Sequence, residues 1–198
     1  MLHLFLSLAP CLLVVPTWAP PHAPPRALTR MSVMDREPAN NVIGTELRCC
    51  CADVRGSGIG TGFYRDGFCS TGSTDEGRHT VCIEATERFL AFSAAVGNPL
   101  HVPIPEYAFP GVQPGDQWCL CASRYAQCLE AEASGAVKNQ DGEPFTGFTP
   151  KIYLLSTHEK TLQYVPLEKL MEHAIDAEEA QAELDRLSSM REALESAL

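Results

Sequence analysis

Apolar positions along this chain come in short runs whose period changes, with glycine and proline between them. Residues 79–84, His-Thr-Val-Cys-Ile-Glu, are rich in β-branched side chains and read as a strand. Thr86 then caps a helix with Phe89, Leu90, Ser93 and Val96 on one face, which stops at Gly97-Asn98-Pro99. Residues 117–122, Gln-Trp-Cys-Leu-Cys-Ala, repeat the plan: a strand, then a helix capped by Ser123, with Tyr125, Cys128 and Leu129 on one face and an end near Gly135. Residues 151–156 and 161–165 are two further β-prone runs around Thr157-His-Glu-Lys160, a pattern that predicts a hairpin. Pro166 opens a third helix, in which Leu167, Leu170, Met171, Ala174 and Ile175 form a core-facing stripe.

The segments between these elements are loops. Residues 40–67 carry Gly56, Gly58, Gly60 and Gly62 and predict at most a short strand near Val42. That glycine run has neither the G-x-G-x-x-G spacing nor a Gly-Lys-Ser/Thr ending, so it is not a phosphate loop. Pro103, Pro105, Pro110 and Pro114 keep residues 100–115 out of any long regular element, and residues 135–150 read as an inserted surface loop. The predicted architecture is α+β: a single compact domain over residues 40–176, with a small sheet covered by two or three helices and long Gly/Pro-rich loops. Residues 177–198, rich in Ala, Glu and Leu, predict a solvated acidic helical tail.

Composition narrows the partners. The 198 residues carry a net charge of −10 and hold no basic stripe, which argues against nucleic acid as the ligand. Charge is uneven: residues 1–34 contain Arg26 and Arg30 and no acid. Within them, residues 2–15 are nearly all apolar, shorter than the roughly 20 residues a membrane helix needs, and a Pro-rich basic stretch follows. The segment reads as a signal peptide followed by a transit peptide, for import into a plastid or other organelle, with no membrane span in the mature chain. Secretion with a Pro-rich linker, or a start at Met31 or Met34, are the alternatives.

Several blocks of the body, in order, resemble one family. They are Asn41-Val-Ile-Gly-Thr45, Thr61-Gly-Phe-Tyr-Arg-Asp-Gly67, His79-Thr-Val-Cys82, Phe89-Leu-Ala-Phe-Ser93, Pro105-Glu-Tyr107, Phe109-Pro-Gly111, Pro114-Gly-Asp-Gln-Trp-Cys-Leu-Cys-Ala122 and Thr157-His-Glu-Lys160. Together they resemble domain of unknown function 2237, common in bacteria, over about residues 40–176. The resemblance implies a domain boundary and no activity. It also implies that Cys50, Cys69, Cys82, Cys119 and Cys121 are the family's cysteine positions.

Nine cysteines are the chain's most informative excess. In a strand, residues two apart share a face, so Cys119 and Cys121 project together, as do Thr80, Cys82 and Glu84. If the two strands are neighbours, Cys82, Cys119 and Cys121 approach one another, and Cys50, Cys69 or His79 completes a tetrahedral shell. Thiolates and imidazole in that number suit Zn²⁺ or, less readily, an iron–sulfur cluster, and would hold their sulfurs about 4 Å apart. Disulfides or inert buried thiols are the structural alternative. A nucleophilic cysteine is the third reading: Cys121 stands just before a helix, with His79 or His158 as its base and Glu159 orienting His158. Arg65 and Asp66, before Gly67, either fix a turn or grip an anion; Arg124 either faces a ligand carboxylate or pairs with Asp116. The functional expectation is a metal- or thiol-dependent module acting on a small molecule. The alternative is a non-catalytic scaffold whose acidic surface and helical tail dock a protein partner.

Overall fold

The computed structural model describes residues 39–197, so the targeting segment read at residues 1–34 lies outside the described residues. Three strands form one sheet in the order β2-β1-β3: β1 (Val81–Glu84), β2 (Gln117–Leu120) and β3 (Lys151–Ile152), with β1 antiparallel to both neighbours. Four helices accompany them: α1 (Glu87–Ala95), α2 (Ala122–Ser134), α3 (Leu167–Glu172) and α4 (Ala177–Ser196). The fold is a compact α+β arrangement.

The register places Val81 opposite Leu120, Cys82 opposite Cys119 and Ile83 opposite Trp118. Alternation then sorts the sheet into two faces. Val81, Ile83, Trp118 and Leu120 join the main core with Phe89 and Phe92 of α1, Tyr125 and Cys128 of α2 and Leu170 of α3. Cys82 and Cys119 face the other way, into a separate buried cluster with Cys50 and Cys69 from the preceding loops. The outward amides of these two strand cysteines are each met by a buried threonine: Cys119 N–H donates to Thr61 Oγ1 at 2.8 Å and Cys82 N–H to Thr157 Oγ1 at 3.1 Å. Loop hydroxyls thus replace neighbouring strands at these two positions along the strand edges.

α1 begins as its sequence directs, with the Thr86 side chain accepting from Phe89 N–H. α2 begins earlier than Ser123 suggests. Its N-cap is Cys121, because the Arg78 carbonyl accepts from Ala122 N–H at 2.9 Å and fixes the helix start against the segment that leads into β1. The hairpin expected over residues 151–165 is replaced by β3 and two 3-10 turns, Leu154–Ser156 and Glu159–Gln163. The reason is competition for backbone groups. Tyr153 N–H bonds the Cys82 carbonyl, His158 N–H bonds the Thr80 carbonyl, and the Leu154 and Leu155 amides bond the Asp176 carboxylate.

α3 stops at Glu172, short of the apolar stripe, because Ile152 takes the next residues: it donates to the His173 carbonyl and accepts from Ile175 N–H. Near Val42 there is a turn in place of a strand, held by the Asn41 side chain, which accepts from the Ile43 and Thr45 amides. The 135–150 loop is exposed at its tip but returns to the core, where Phe148 is buried and stacks on Phe92 at 4.2 Å. Arg124, expected to pair with Asp116, bonds Gln127 and the Val96 carbonyl; Asp116 pairs with Arg55.

Candidate functional site

Three residues from two segments converge beside the end of β2. Asp75 lies in the tight turn before β1, where its amide donates to the Gly72 carbonyl and its carbonyl accepts from Arg78 N–H. Its carboxylate is fully buried and doubly engaged. Oδ2 accepts from His79 N–H at 2.8 Å and from the Thr71 hydroxyl at 3.0 Å, while Oδ1 lies 2.7 Å from His79 Nδ1. With Nδ1 held this way, Nε2 is the ring nitrogen left for another partner. The Cys121 thiol packs beside the same imidazole, the two side chains meeting over Gly77.

Positioning of these groups follows from the backbone. Arg78 adopts φ 50°, and its carbonyl bonds Ala122 N–H, so the residues after Arg78 and before Ala122, namely His79 and Cys121, are clamped side by side. Gly77 packs beneath both: a β-carbon there would stand 2.9 Å from His79 Cε1 and 3.2 Å from Cys121 Sγ. Phe63 stacks over the imidazole with ring centroids 5.9 Å apart. Cys121 itself sits at the N-terminus of α2, where aligned peptide dipoles favour negative charge.

Electrostatics support a charged histidine. Burial works against the imidazolium, but the Asp75 carboxylate and the Cys121 thiol outweigh it and raise the His79 pKa to about 9. Burial also opposes ionisation of Asp75, and here the His79 ring and amide and the Thr71 hydroxyl prevail, holding the carboxyl below its ordinary value.

Cys121 and His79 line a cavity of about 620 Å³. Phe63, Tyr64, Phe109 and Trp118 form much of its wall, with Arg65 among them and Ile104 and Tyr107 on the Pro-rich connector. A second cavity, of about 460 Å³, lies between α2 and α3 against Ala126, Leu129, Tyr164 and His173, and no cysteine lines it. The free Cys121 thiol therefore stands at the first.

Residues 40–174 match the sequence profile of a family described as an uncharacterized protein conserved in bacteria, domain of unknown function 2237. The chain belongs to this family. Among curated proteins none matches it.

In this member of domain of unknown function 2237, the residues expected to form one metal shell are divided between two places. Cys50 is bonded to Cys82 and Cys69 to Cys119, and the four form the buried cluster behind the sheet. The sulfurs of Cys50, Cys69 and Cys82 lie within 4.8 Å of one another, whereas Cys121, expected beside Cys82 and Cys119, is not part of the cluster. As disulfides they hold no thiolate, the form that ligates zinc or iron. His79 and Cys121 stand apart with Asp75. His158 is fully buried, donates its backbone N–H to the Thr80 carbonyl and accepts the Lys160 amide on its own Nδ1. Neither it nor Glu159 lines the Cys121 cavity. Sequence reasoning missed Asp75, whose signal is its place four residues before His79 in a Gly-bearing turn, a spacing that lets one carboxylate reach both the amide and the ring.

Proposed function

We propose that the protein is a thiol-dependent enzyme acting on a small molecule, with Cys121 as nucleophile, His79 as its base and Asp75 as the group that orients His79. The observation that carries this is the convergence at one place of the buried Asp75, hydrogen-bonded to His79, and of Cys121, packed beside the same ring over Gly77 at the wall of the aromatic cavity. In an acyl transfer the proton of Cys121 is already held by the charged His79, and Cys121 Sγ forms a bond to the carbonyl carbon as the carbonyl π bond opens to an oxyanion. The bond to the leaving group then breaks as His79 returns the proton to it. Water, deprotonated by His79, attacks the resulting thioester and regenerates the thiol. Asp75 holds the ring in one orientation and stabilises its charged form throughout.

The test is selective alkylation. With limiting iodoacetamide near neutral pH, Cys121 is expected to be carboxamidomethylated before the exposed Cys49, as read by peptide mass spectrometry. His79→Asn should slow that reaction by about 10²-fold, the usual contribution of a positioned base. Equal labelling of Cys49 and Cys121, with no effect of His79→Asn, would leave the protein-binding scaffold as the better reading.

A further inference from the structure

The Cys121 cavity contains a cation with no anion beside it. Arg65 lines the same wall as Cys121 and His79, half-buried, with its guanidinium 5.0 Å from the centroid of Trp118 and 5.8 Å from that of Phe109. Its hydrogen bond is a single one, from Nη1 to the Gly62 carbonyl at 3.2 Å. Among the described residues no carboxylate pairs with it; Arg88 and Arg124 also lack one, but they bond carbonyl groups and neither lines this cavity, whereas Arg48, Arg55, Arg186 and Arg191 each have an acidic partner. Burial pushes the Arg65 pKa down from its ordinary value, so the environment does not itself compensate the charge.

The backbone is strained to place this side chain. Arg65 has φ 58°, a left-handed conformation that a residue with a β-carbon adopts at a cost. The surrounding loop enforces it: Gly67 N–H bonds the Thr61 carbonyl, the Gly67 carbonyl accepts from the Cys50 and Cys51 amides, and the Asp66 side chain accepts from Phe68 N–H. The Arg-Asp-Gly segment therefore does both things that its sequence allows. Asp66 fixes the turn, and Arg65 is turned into the cavity with most of its donor fork unused.

Building on the Cys121 reading, we infer that Arg65 selects an anionic small molecule, a carboxylate or phosphate bound by the guanidinium, whose planar or apolar body lies against Phe63, Phe109 and Trp118 within reach of Cys121. A guanidinium already laid on aromatic faces presents its fork at low entropic cost and suits bidentate recognition of either oxyanion. Glu106 also lines the cavity, but it is exposed and makes no ion pair with Arg65. It therefore opposes anions only weakly at the rim.

Two measurements on the full-length chain test this. In the first, Cys121→Ser protein is titrated by calorimetry with phenylacetate, phenyl phosphate and the neutral phenylacetamide. At least one anion should bind about tenfold or more tightly than the amide, and Arg65→Gln should abolish that preference, with Arg65→Lys intermediate. The tighter anion identifies the headgroup. In the second, the ratio of iodoacetate to iodoacetamide rates at Cys121 should fall about tenfold in Arg65→Gln, since only the first reagent carries a carboxylate. A ratio and an anion preference both unmoved by Arg65→Gln overturn the inference even if Cys121 is reactive. An unreactive Cys121 overturns the nucleophile reading, and the calorimetric titration still decides the role of Arg65.

Discussion

Gly77 shows how tightly the site is built at the scale of a residue. Its α-carbon faces the narrow space between His79 and Cys121, and nothing larger than hydrogen fits there without moving one of them. Gly77→Ala is therefore expected to lower the alkylation rate of Cys121 about tenfold or more while far-ultraviolet circular dichroism stays unchanged, because misplacing a base by a fraction of an ångström is costly. An unchanged rate would show that His79 and Cys121 do not depend on each other. His79 makes a pH prediction with a definite sign. Its folded pKa, raised to about 9, lies above the ordinary 6.5, so its pairing stabilises the fold fully below about pH 6.5 and the benefit is lost as pH rises through 9. Urea midpoints of wild type and His79→Gln should differ most between pH 5 and 6.5 and converge above pH 9. A gap that widens with pH would contradict the Asp75–His79 pairing.

At the scale of elements, the sheet is too small to hold its surroundings by packing alone. β3 is two residues long, and the thiol-bearing face of β1 and β2 is covered by loop. The two crosslinks, closing 32 and 50 residues of separation, interlace and bind that loop to both strands. Each is expected to contribute roughly 2–4 kcal/mol. Dithiothreitol should lower the unfolding free energy by about that much per bond, measured by urea denaturation. Digestion without reduction should yield Cys50–Cys82 and Cys69–Cys119 linked peptides. Stoichiometric zinc in protein purified anaerobically, with those linked peptides missing, would make the cluster a metal centre instead.

At the scale of the whole molecule, α4 is joined to the domain at its start and solvated beyond it. Ala180 is fully buried, Leu184 packs against the core and Arg48 pairs with Glu179, while Met190 and Leu194 are exposed. A chain ending at residue 176 is expected to fold but to lose about 1–2 kcal/mol relative to one that retains the first turns of α4, the worth of roughly one apolar side chain. Chemical denaturation of the two chains decides it. Among the described residues no helix is long and apolar enough to cross a membrane. For residues 1–40, which include the acid-free stretch, our expectation is that they carry a fluorescent reporter into an organelle. Cytosolic fluorescence from the uncleaved fusion would refute it.

Local order in the chain was sufficient for β1 and α1, where a β-branched run is followed by a capping threonine and an apolar stripe, and for the presence of β2 and α2, whose exact junction at Cys121 is set by the Arg78 carbonyl and not by a local cap. It was sufficient too for the neighbouring of Cys82 and Cys119, which needs only that two consecutive strands pair. The misread elements are those whose partners are distant. The 151–165 runs surrender their backbone groups to Cys82, Thr80 and Asp176, so alternation had no neighbouring strand to express it. The site divides in the same way. Cys121 and His79 were legible as a candidate pair from residue type and position, and the structure places them side by side. The assignment of Cys50, Cys69, Cys82 and Cys119 to one another, of Asp75 to the His79 ring, and of Arg65 to the cavity of Cys121, was decided by tertiary structure alone. Pairing among several cysteines, and the aim of a strained loop arginine, depend on distances that no local pattern encodes.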